Sequence, residues 1–194
     1  MKRIITFLIL ASWLTSNVVL AVCDENIAES TPLSRFVLND SEAYDQQTNL
    51  TWNRCSVGTT WTSDAGCVGE VKLLGLDKAK QFAQNLGDGW RIPTIEELYS
   101  IVEQKCFNPT INSRVFPTVT NFGEGAPYWS DSNVEEIPSL IYFIDFLDGA
   151  VDGHTKGFPL AVRLVRSGCL SDTSRRCGGE PGRHQAYHDE LLEE

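Results

Sequence analysis

A ten-residue segment near the middle of the chain, Gly89–Leu98, constrains the local fold strongly. Its sequence is Gly-Trp-Arg-Ile-Pro-Thr-Ile-Glu-Glu-Leu. Pro93 disfavours helix at the residue before it and restricts its own φ angle. Thr94 and Glu97 have the spacing of a capping box, in which each side chain accepts the other residue's backbone N–H. We therefore predict that an extended segment stops at Pro93 and that a helix begins directly after Thr94.

The Trp-Arg pair in this segment is not required by the rules for starting a helix. A guanidinium beside a large apolar ring needs a partner for its charge. We therefore expect Arg91 to be partly buried and paired with a carboxylate. We interpret Trp90 as a residue of the fold and not of a ligand site.

The first 21 residues have the pattern of an export signal. Lys2 and Arg3 precede an apolar run at residues 4–14, which is too short to span a bilayer comfortably. We expect cleavage after Ala21, which leaves 173 of the 194 residues. An uncleaved membrane anchor is the disfavoured alternative. The mature protein is thus expected in the periplasm or outside the cell, with no stable membrane insertion.

Cleavage would remove two basic residues and no acidic ones, so the net charge would change from −10 to −12. A chain this acidic is a poor match for nucleic acid or for an anionic membrane surface. The same charge opposes the binding of polyanions by simple attraction. The length is that of one domain, and we expect the polar residues 167–194 to form a disordered tail or a weakly held helix.

Six cysteines remain in the mature chain, and an even number in an exported protein indicates disulfides. A metal site or redox pair is disfavoured because no CxxC motif occurs. Cys55 and Cys67 flank one short polar stretch, and Cys169 and Cys177 flank another. Cys23 and Cys106 then remain to pair with each other. The predicted bonds are therefore Cys55–Cys67, Cys169–Cys177 and Cys23–Cys106.

The apolar patterns predict two central helices, at 77–86 and 95–105, with Phe82 and Leu86 on the buried face of the first. Asp148-Gly149 is a hairpin turn signal. We expect an α+β fold with a mostly antiparallel sheet, in which the N- and C-terminal strands pair. The other segments are an irregular arm at 22–34, strands at 35–38 and 48–52 paired across a polar turn, a loop at 53–70, and strands at 128–130, 140–146, 150–154 and 160–165.

No catalytic residues are predicted, because the chain has no GxSxG motif and only three histidines. His154 follows a predicted turn and is interpreted as an exposed residue. His184 and His188 have metal-ligand spacing on a helix, and Asp189 or Glu190 could add an oxygen ligand. A solvated tail provides no rigid frame for such a site, so we predict no metal there.

Acidic residues around the predicted hairpin raise the possibility of calcium. Asp145, Asp148 and Asp152 lie close together in sequence, and oxygen-rich loops suit this ion. The spacing is not that of an EF-hand, and an acidic surface is more often simply solvated. No cofactor is therefore predicted, with calcium kept as the alternative.

Aromatic residues give the stronger hypothesis of ligand binding. Trp129 is followed by Ser-Asp-Ser, and flat rings beside carboxylates are suited to stacking on sugars. A position in the core is the alternative for these rings, above all for Trp52 and Trp90. The predicted ligand-binding residues are Trp129, Asp131, Tyr142, Asp148 and Asp152.

An ordered set of motifs runs through most of the mature chain. The motifs are Asn49-Leu50-Thr51-Trp52, Cys55, Cys67, Trp90-Arg91-Ile92-Pro93-Thr94 with Glu97-Leu98, Cys106 to Asn112, Phe116-Pro117, Tyr128-Trp129-Ser130 and Val162 to Arg166. Taken together they are specific, whereas each alone would be weak. Over about residues 35–166 this set resembles one bacterial family, the Lcl C-terminal domain family. We therefore expect a single domain of this type at residues 22–166.

The resemblance implies a C-type lectin-like fold in an exported protein and a carbohydrate-binding or adhesive role. The eponymous adhesin binds sulfated glycans. This chain differs, because it has no collagen-like repeat and is acidic. We expect an exported binding module whose partners are glycans or another envelope protein. The alternatives are an enzyme on a scaffold similar to formylglycine-generating enzymes, or a structural or assembly protein of the cell envelope.

Overall fold

The computed structural model of this chain describes residues 21–169. Within that range two α-helices lie in sequence between strands from both ends of the domain. The helices are α1 (Leu76–Leu86) and α2 (Ile95–Ser100). The strands are β1 (Val22–Cys23), β2 (Phe36–Asn39), β3 (Glu42–Asp45), β4 (Leu50–Asn53), β5 (Thr59–Thr62), β6 (Gly66–Gly69), β7 (Cys106–Phe107), β8 (Pro127–Asn133), β9 (Leu140–Asp145), β10 (Val151–Thr155) and β11 (Val165–Ser167). The named strands pair antiparallel, so the predicted α+β class is confirmed.

Some predictions concern parts of the chain outside the described residues. These are residues 1–20 of the export signal, Cys177, and the tail from residue 170 onward with His184 and His188. Between residues 21 and 169, none of the helices is long and apolar enough to cross a membrane.

The two ends of the domain meet in a four-stranded sheet with the order β11-β4-β3-β2. Val165 of β11 pairs with Trp52 of β4, so the N- and C-terminal strands do lie side by side. The predicted direct pairing of strands 35–38 and 48–52 is wrong. β3 lies between β2 and β4 and pairs with both.

Buried charges explain why β3 was not predicted from its sequence, Glu-Ala-Tyr-Asp. The carboxylate of Asp45 is fully buried and accepts a 2.7 Å hydrogen bond from Nε of Arg35. Glu42 accepts two bonds of 3.1 Å from Arg166, which lies 124 residues away on β11. These partners meet only in the folded sheet, so a local pattern could not reveal them.

Residues 53–70 form a hairpin where a loop was predicted. β5 and β6 pair with Trp61 opposite Cys67. Cys67 is bonded to Cys55, which confirms the predicted local disulfide. The guanidinium of Arg54 lies 4.0 Å from the centre of the Trp61 ring and covers it. The disulfide and this cation–π contact give the short hairpin the support that its polar sequence lacks.

Helix α1 confirms the predicted helix at 77–86, but its buried face is narrower than expected. Phe82 and Leu86 are 41% and 46% exposed. Gly87, at a φ of 73°, terminates the helix in a conformation that favours glycine. The residues of α1 that are buried are Leu76, Ala79 and Ala83.

Helix α2 begins where the sequence predicts. The Thr94 hydroxyl accepts the Glu97 N–H at 3.2 Å, and the Glu97 carboxylate accepts the Thr94 N–H at 2.8 Å. These reciprocal bonds form the predicted capping box. They satisfy donors that have no partner inside the first turn of a helix.

The predicted end of this helix at residue 105 is wrong, because α2 stops at Ser100. Val102 forms an isolated bridge with Ile111, and the Glu103 N–H donates to the Thr110 carbonyl at 2.9 Å. The backbone N–H of Glu103 thus bonds to the segment that follows β7 and does not continue the helix.

A three-stranded sheet, with the order β10-β9-β8, separates the two helices. Trp129 belongs to the apolar cluster that contains Ala79 of α1. The preceding Tyr128 belongs to the cluster that contains Leu98 of α2. Successive residues of β8 therefore face opposite helices, as alternation along a strand requires. Gly149, at a φ of 80°, confirms the turn predicted between β9 and β10.

The N-terminal arm is attached to the rest of the domain by the predicted bond between Cys23 and Cys106. β1 and β7 also pair there, so the arm is not wholly irregular. Cys169 is disulfide-bonded as well, and its predicted partner lies beyond the described range. Among residues 21–169 there is no free cysteine.

Candidate functional site

The Trp-Arg pair before Pro93 makes contacts that connect parts of the fold. Arg91 donates to both oxygens of Glu97, at 2.7 and 2.6 Å, which confirms its predicted carboxylate partner. The half-buried Trp90 lies under the guanidinium of Arg166, with its ring centre 5.1 Å from the charge. The motif therefore joins the start of α2 to the last strand of the sheet.

Trp129, the aromatic residue chosen for ligand binding, lies in the core. It is 0% exposed, and its indole N–H donates to the Leu74 carbonyl at 2.8 Å. Neither face of the ring is open to a ligand. The polar Ser-Asp-Ser run after it does not indicate exposure, because Ser130 is itself buried and donates to the Tyr142 carbonyl at 2.6 Å.

The other predicted ligand-binding residues lie apart from one another. Asp131 forms an ion pair with Lys80 of α1. Tyr142 is half-buried on β9 opposite Gly153. Asp152 is exposed on β10, and its carboxylate accepts the Gly153 N–H at 2.7 Å. Of the predicted residues, Asp148 is the one that lines the groove described next.

A groove of about 470 Å³ lies beside the Cys23–Cys106 disulfide, where α2 ends. Tyr99 and Phe107 line it and are 50% and 55% exposed. Asp148 contributes from the turn between β9 and β10, and Asp24 contributes from the N-terminal arm. We call this cavity the Tyr99 groove; its polar lining also includes Gln104, Lys105 and Thr110.

A buried carboxylate, Glu103, holds the arm against this groove. It is 3% exposed and accepts five hydrogen bonds of 2.8–3.2 Å from Ser30, Thr31 and Lys105. Burial alone would raise the pKa of Glu103, but the backbone and hydroxyl donors stabilise its anion, and the net shift is downward. An ionised side chain thus positions the arm on which Asp24 lies.

The hairpin turn lies against the groove, with Gly149 at a φ of 80°, a backbone conformation that favours glycine. A Cβ at Gly149 would lie 3.4 Å from Val102 Cγ1 and 3.7 Å from Thr110 Oγ1. The neighbouring Asp148 uses Oδ1 to accept the Ala150 N–H at 2.9 Å and is otherwise exposed. This contact holds the Asp148 carboxylate at the rim of the groove.

The two carboxylates at the rim are suited to accepting hydrogen bonds. Hydrogen bonds from the backbone and side chain of Asn26 lower the pKa of Asp24, so its anion is favoured. Exposed aromatic rings provide flat apolar faces in the same groove. This combination can bind a ligand that has both hydroxyl groups and apolar faces.

The histidine and the acidic residues considered from the sequence lie in different surroundings in the structure. His154 stacks on Phe158 at a centroid distance of 3.8 Å and does not line the Tyr99 groove. Across residues 21–169, no three His, Cys, Asp or Glu side chains are grouped so that they could hold a metal ion. The acidic residues considered for calcium are therefore separate in this part of the chain.

Sequence reasoning missed Tyr99, Phe107 and Asp24 as candidate site residues. The sequence did contain a signal for Asp24 and Phe107. Each directly follows a cysteine of the predicted Cys23–Cys106 bond, which brings the two residues close together. For Tyr99 the signal is weaker. It follows the buried Leu98, and on a helix the next residue points about 100° away.

Comparison with known proteins gives one match to a protein family. The family described as the Lcl C-terminal domain matches residues 41–166, which is more than half of the chain. No curated protein matches the chain.

Proposed function

Because the chain belongs to the Lcl C-terminal domain family, we propose that it is an exported binding module that holds neutral glycans in the Tyr99 groove. The observation that carries the proposal is the pair of half-exposed rings, Tyr99 and Phe107, in one groove with the carboxylates of Asp24 and Asp148. The proposal includes a C-type lectin-like fold. Export is supported by the N-terminal pattern and by the disulfides, which persist in oxidising compartments.

The chemistry of a sugar ring matches this groove. The C–H face of a pyranose is apolar and stacks on an aromatic ring, while its hydroxyl groups donate to carboxylates. The groove is open, so it suits part of a long chain better than a small enclosed molecule. The rim carboxylates Asp24 and Asp148 would repel sulfate groups, which supports neutral glycans as the proposed ligands.

The experiment is a glycan array probed with the mature, disulfide-bonded protein, followed by calorimetry on the strongest neutral glycan. Tyr99→Ala and Phe107→Ala are each expected to weaken binding about tenfold, the order of one aromatic contact. Phe82→Ala is the matched control, because Phe82 is a similarly exposed ring on α1 and does not line the groove.

Three outcomes would overturn the proposal. One is an array that is silent for neutral and anionic glycans alike, which would favour a structural or assembly role in the envelope. Another is a glycan affinity that neither groove variant changes. Binding confined to sulfated glycans would contradict the stated preference for neutral ones.

A further inference from the structure

A second cavity, of about 700 Å³, lies at the three-stranded sheet β10-β9-β8, on the face opposite to α2. It shares no lining residue with the Tyr99 groove. We propose that it binds an organic cation, such as a quaternary or alkylated ammonium group. We call it the phenylalanine pocket; the residues that carry the argument are Phe122, Phe143, Phe158, Glu124, Asp145 and His154.

Three phenylalanine rings from different parts of the chain line this pocket. Phe143 is on β9, Phe122 precedes β8, and Phe158 follows β10. Phe122 and Phe158 are 36% and 45% exposed, and the adjoining Leu73 is 39% exposed. Grouped apolar side chains left in contact with water are typical of a surface that a ligand covers. The size of the pocket also falls in the range of small-molecule sites.

The wall formed by Phe158 is held in place by an aromatic contact. The rings of Phe158 and His154 stack with centroids 3.8 Å apart and planes at 24°. The Phe158 N–H donates to the Thr155 carbonyl at 3.0 Å, which closes the turn after β10. The ring is therefore already ordered before a ligand arrives, which lowers the entropic cost of binding.

Two carboxylates give the pocket its charge. Oδ1 of Asp145 accepts the N–H groups of Ala126 and Leu147 at 2.9 and 2.8 Å, which fixes the side chain. Its Oδ2 accepts no hydrogen bond from the described residues. Oδ2 occupies the space that a Cβ at Gly125 would need, so residue 125 must be glycine for the carboxylate to lie there.

No lysine or arginine offsets this charge in the pocket lining. Neither Asp145 nor the exposed Glu124 forms an ion pair with any residue between 21 and 169. An anionic ligand would be repelled there, and a neutral apolar one would offer nothing to Oδ2 of Asp145 or to the Glu124 carboxylate. A cation with an apolar shell fits both the rings and the charge, because aromatic faces and carboxylates each attract it.

The test is a titration of the mature, disulfide-bonded protein with choline and, in parallel, with its neutral isostere 3,3-dimethyl-1-butanol. Choline is expected to bind about tenfold more tightly, since the two molecules differ in charge and have the same shape. Heteronuclear NMR shifts are expected to map the binding to the residues of the phenylalanine pocket.

Variants at exposed positions test the site without threatening the core. Phe158→Ala and Glu124→Gln are expected to weaken choline binding about fivefold and threefold, as loss of one cation–π contact and of one charge would do. Phe82→Ala and Glu135→Gln are the matched controls, because both residues are exposed outside the pocket. Each is expected to leave choline binding unchanged.

The proposal is overturned if choline does not bind, if the isostere binds equally well, or if both pocket variants bind choline like the parent protein. Tyr99→Ala is expected to have no effect on choline. Failure of this proposal would therefore say nothing against glycan binding in the Tyr99 groove, and the reverse also holds.

Discussion

The guanidinium of Arg91 donates two hydrogen bonds to the carboxylate of Glu97, six residues further along the chain. The same carboxylate accepts the N–H of Thr94 and so completes the capping box of α2. The hydrogen bond to Glu97 raises the pKa of Arg91. Burial would raise the pKa of Glu97, yet the donors from Arg91 and Thr94 bring it below its usual value. Glu97 thus links the start of α2 to the extended segment before it.

Arg91→Ala is expected to lower the free energy of unfolding by about 1–2 kcal/mol, less than a buried pair because the Arg91 side chain is 39% exposed. Urea unfolding measures this value. Arg91→Lys should restore only part of it, since lysine cannot donate in the bidentate geometry. Arg114→Ala, at an exposed position, is the control. Lost glycan binding with unchanged stability would show that the motif serves the ligand instead.

A second arginine, Arg163, is fully buried and has no carboxylate partner among the described residues. Nη1 donates to the carbonyls of Asn53 and Arg54 at 2.9 and 2.7 Å. The charge also lies 4.7 Å from the ring centre of Phe116. Burial lowers the pKa of Arg163, while the charge and hydrogen bonding of Tyr128 act in the other direction.

Arg163→Met is expected to cost about 3 kcal/mol of stability, because it leaves buried carbonyl groups without donors. The measurement is again urea unfolding, with Arg114→Met as the exposed control. A parent-like midpoint would mean that water or a shifted side chain takes over these bonds. It would also show that packing on Phe116, which methionine can retain, is the main role of this side chain.

The two disulfides between described residues close loops of very different length, with separations of 83 residues for Cys23–Cys106 and 12 for Cys55–Cys67. In the chain-entropy account, a longer loop restricts the unfolded chain more. Replacing Cys23 and Cys106 by serine should therefore cost the upper part of the usual range of about 2–4 kcal/mol. The pair Cys55→Ser and Cys67→Ser should cost less.

Thermal unfolding of both double variants, without reductant, checks this order. The Cys23–Cys106 variant should also bind glycans more weakly, because the arm that carries Asp24 loses one of its attachments. The other double variant is expected to keep parent-like binding and serves as the control. A reversed order of stability would mean that contacts in the folded hairpin outweigh loop entropy.

The elements that follow from local chemistry were predicted correctly. Pro93, Thr94 and Glu97 define the start of α2, and Asp148-Gly149 defines the hairpin turn, because caps and turns depend on a few adjacent residues. The end of α2 and strand β3 were not predicted. Both depend on partners outside the element itself: the segment at Thr110, seven residues beyond Glu103, for the helix end, and Arg166, 124 residues from Glu42, for the strand.

The candidate site was harder to predict than the fold, for a related reason. Trp129 looked like a binding residue because polar residues follow it, yet alternation on β8 turns its ring toward α1. Tyr99 and Phe107 are ordinary aromatic residues in sequence. They stand out only because the groove leaves both rings half-exposed beside Asp24 and Asp148.

The last prediction concerns the pH dependence of Glu103, which holds the N-terminal arm. Its pKa in the folded protein lies below the ordinary value of 4.5, so the unfolded chain takes up the proton first as the pH falls. The stability that Glu103 contributes is therefore fully present above about pH 4.5 and is lost as the pH falls through the folded-state pKa.

Glu103→Gln removes this titration. At pH 7 the variant is expected to be about 1.5–3 kcal/mol less stable than the parent, the value of hydrogen bonds to a charged group. The difference should shrink below pH 4.5, because the parent then loses its own advantage. Urea unfolding at steps from pH 7 to pH 3 measures both curves, with Glu135→Gln as the exposed control. If the difference in unfolding free energy between the parent and Glu103→Gln stays constant over this range, Glu103 acts by shape and not by charge.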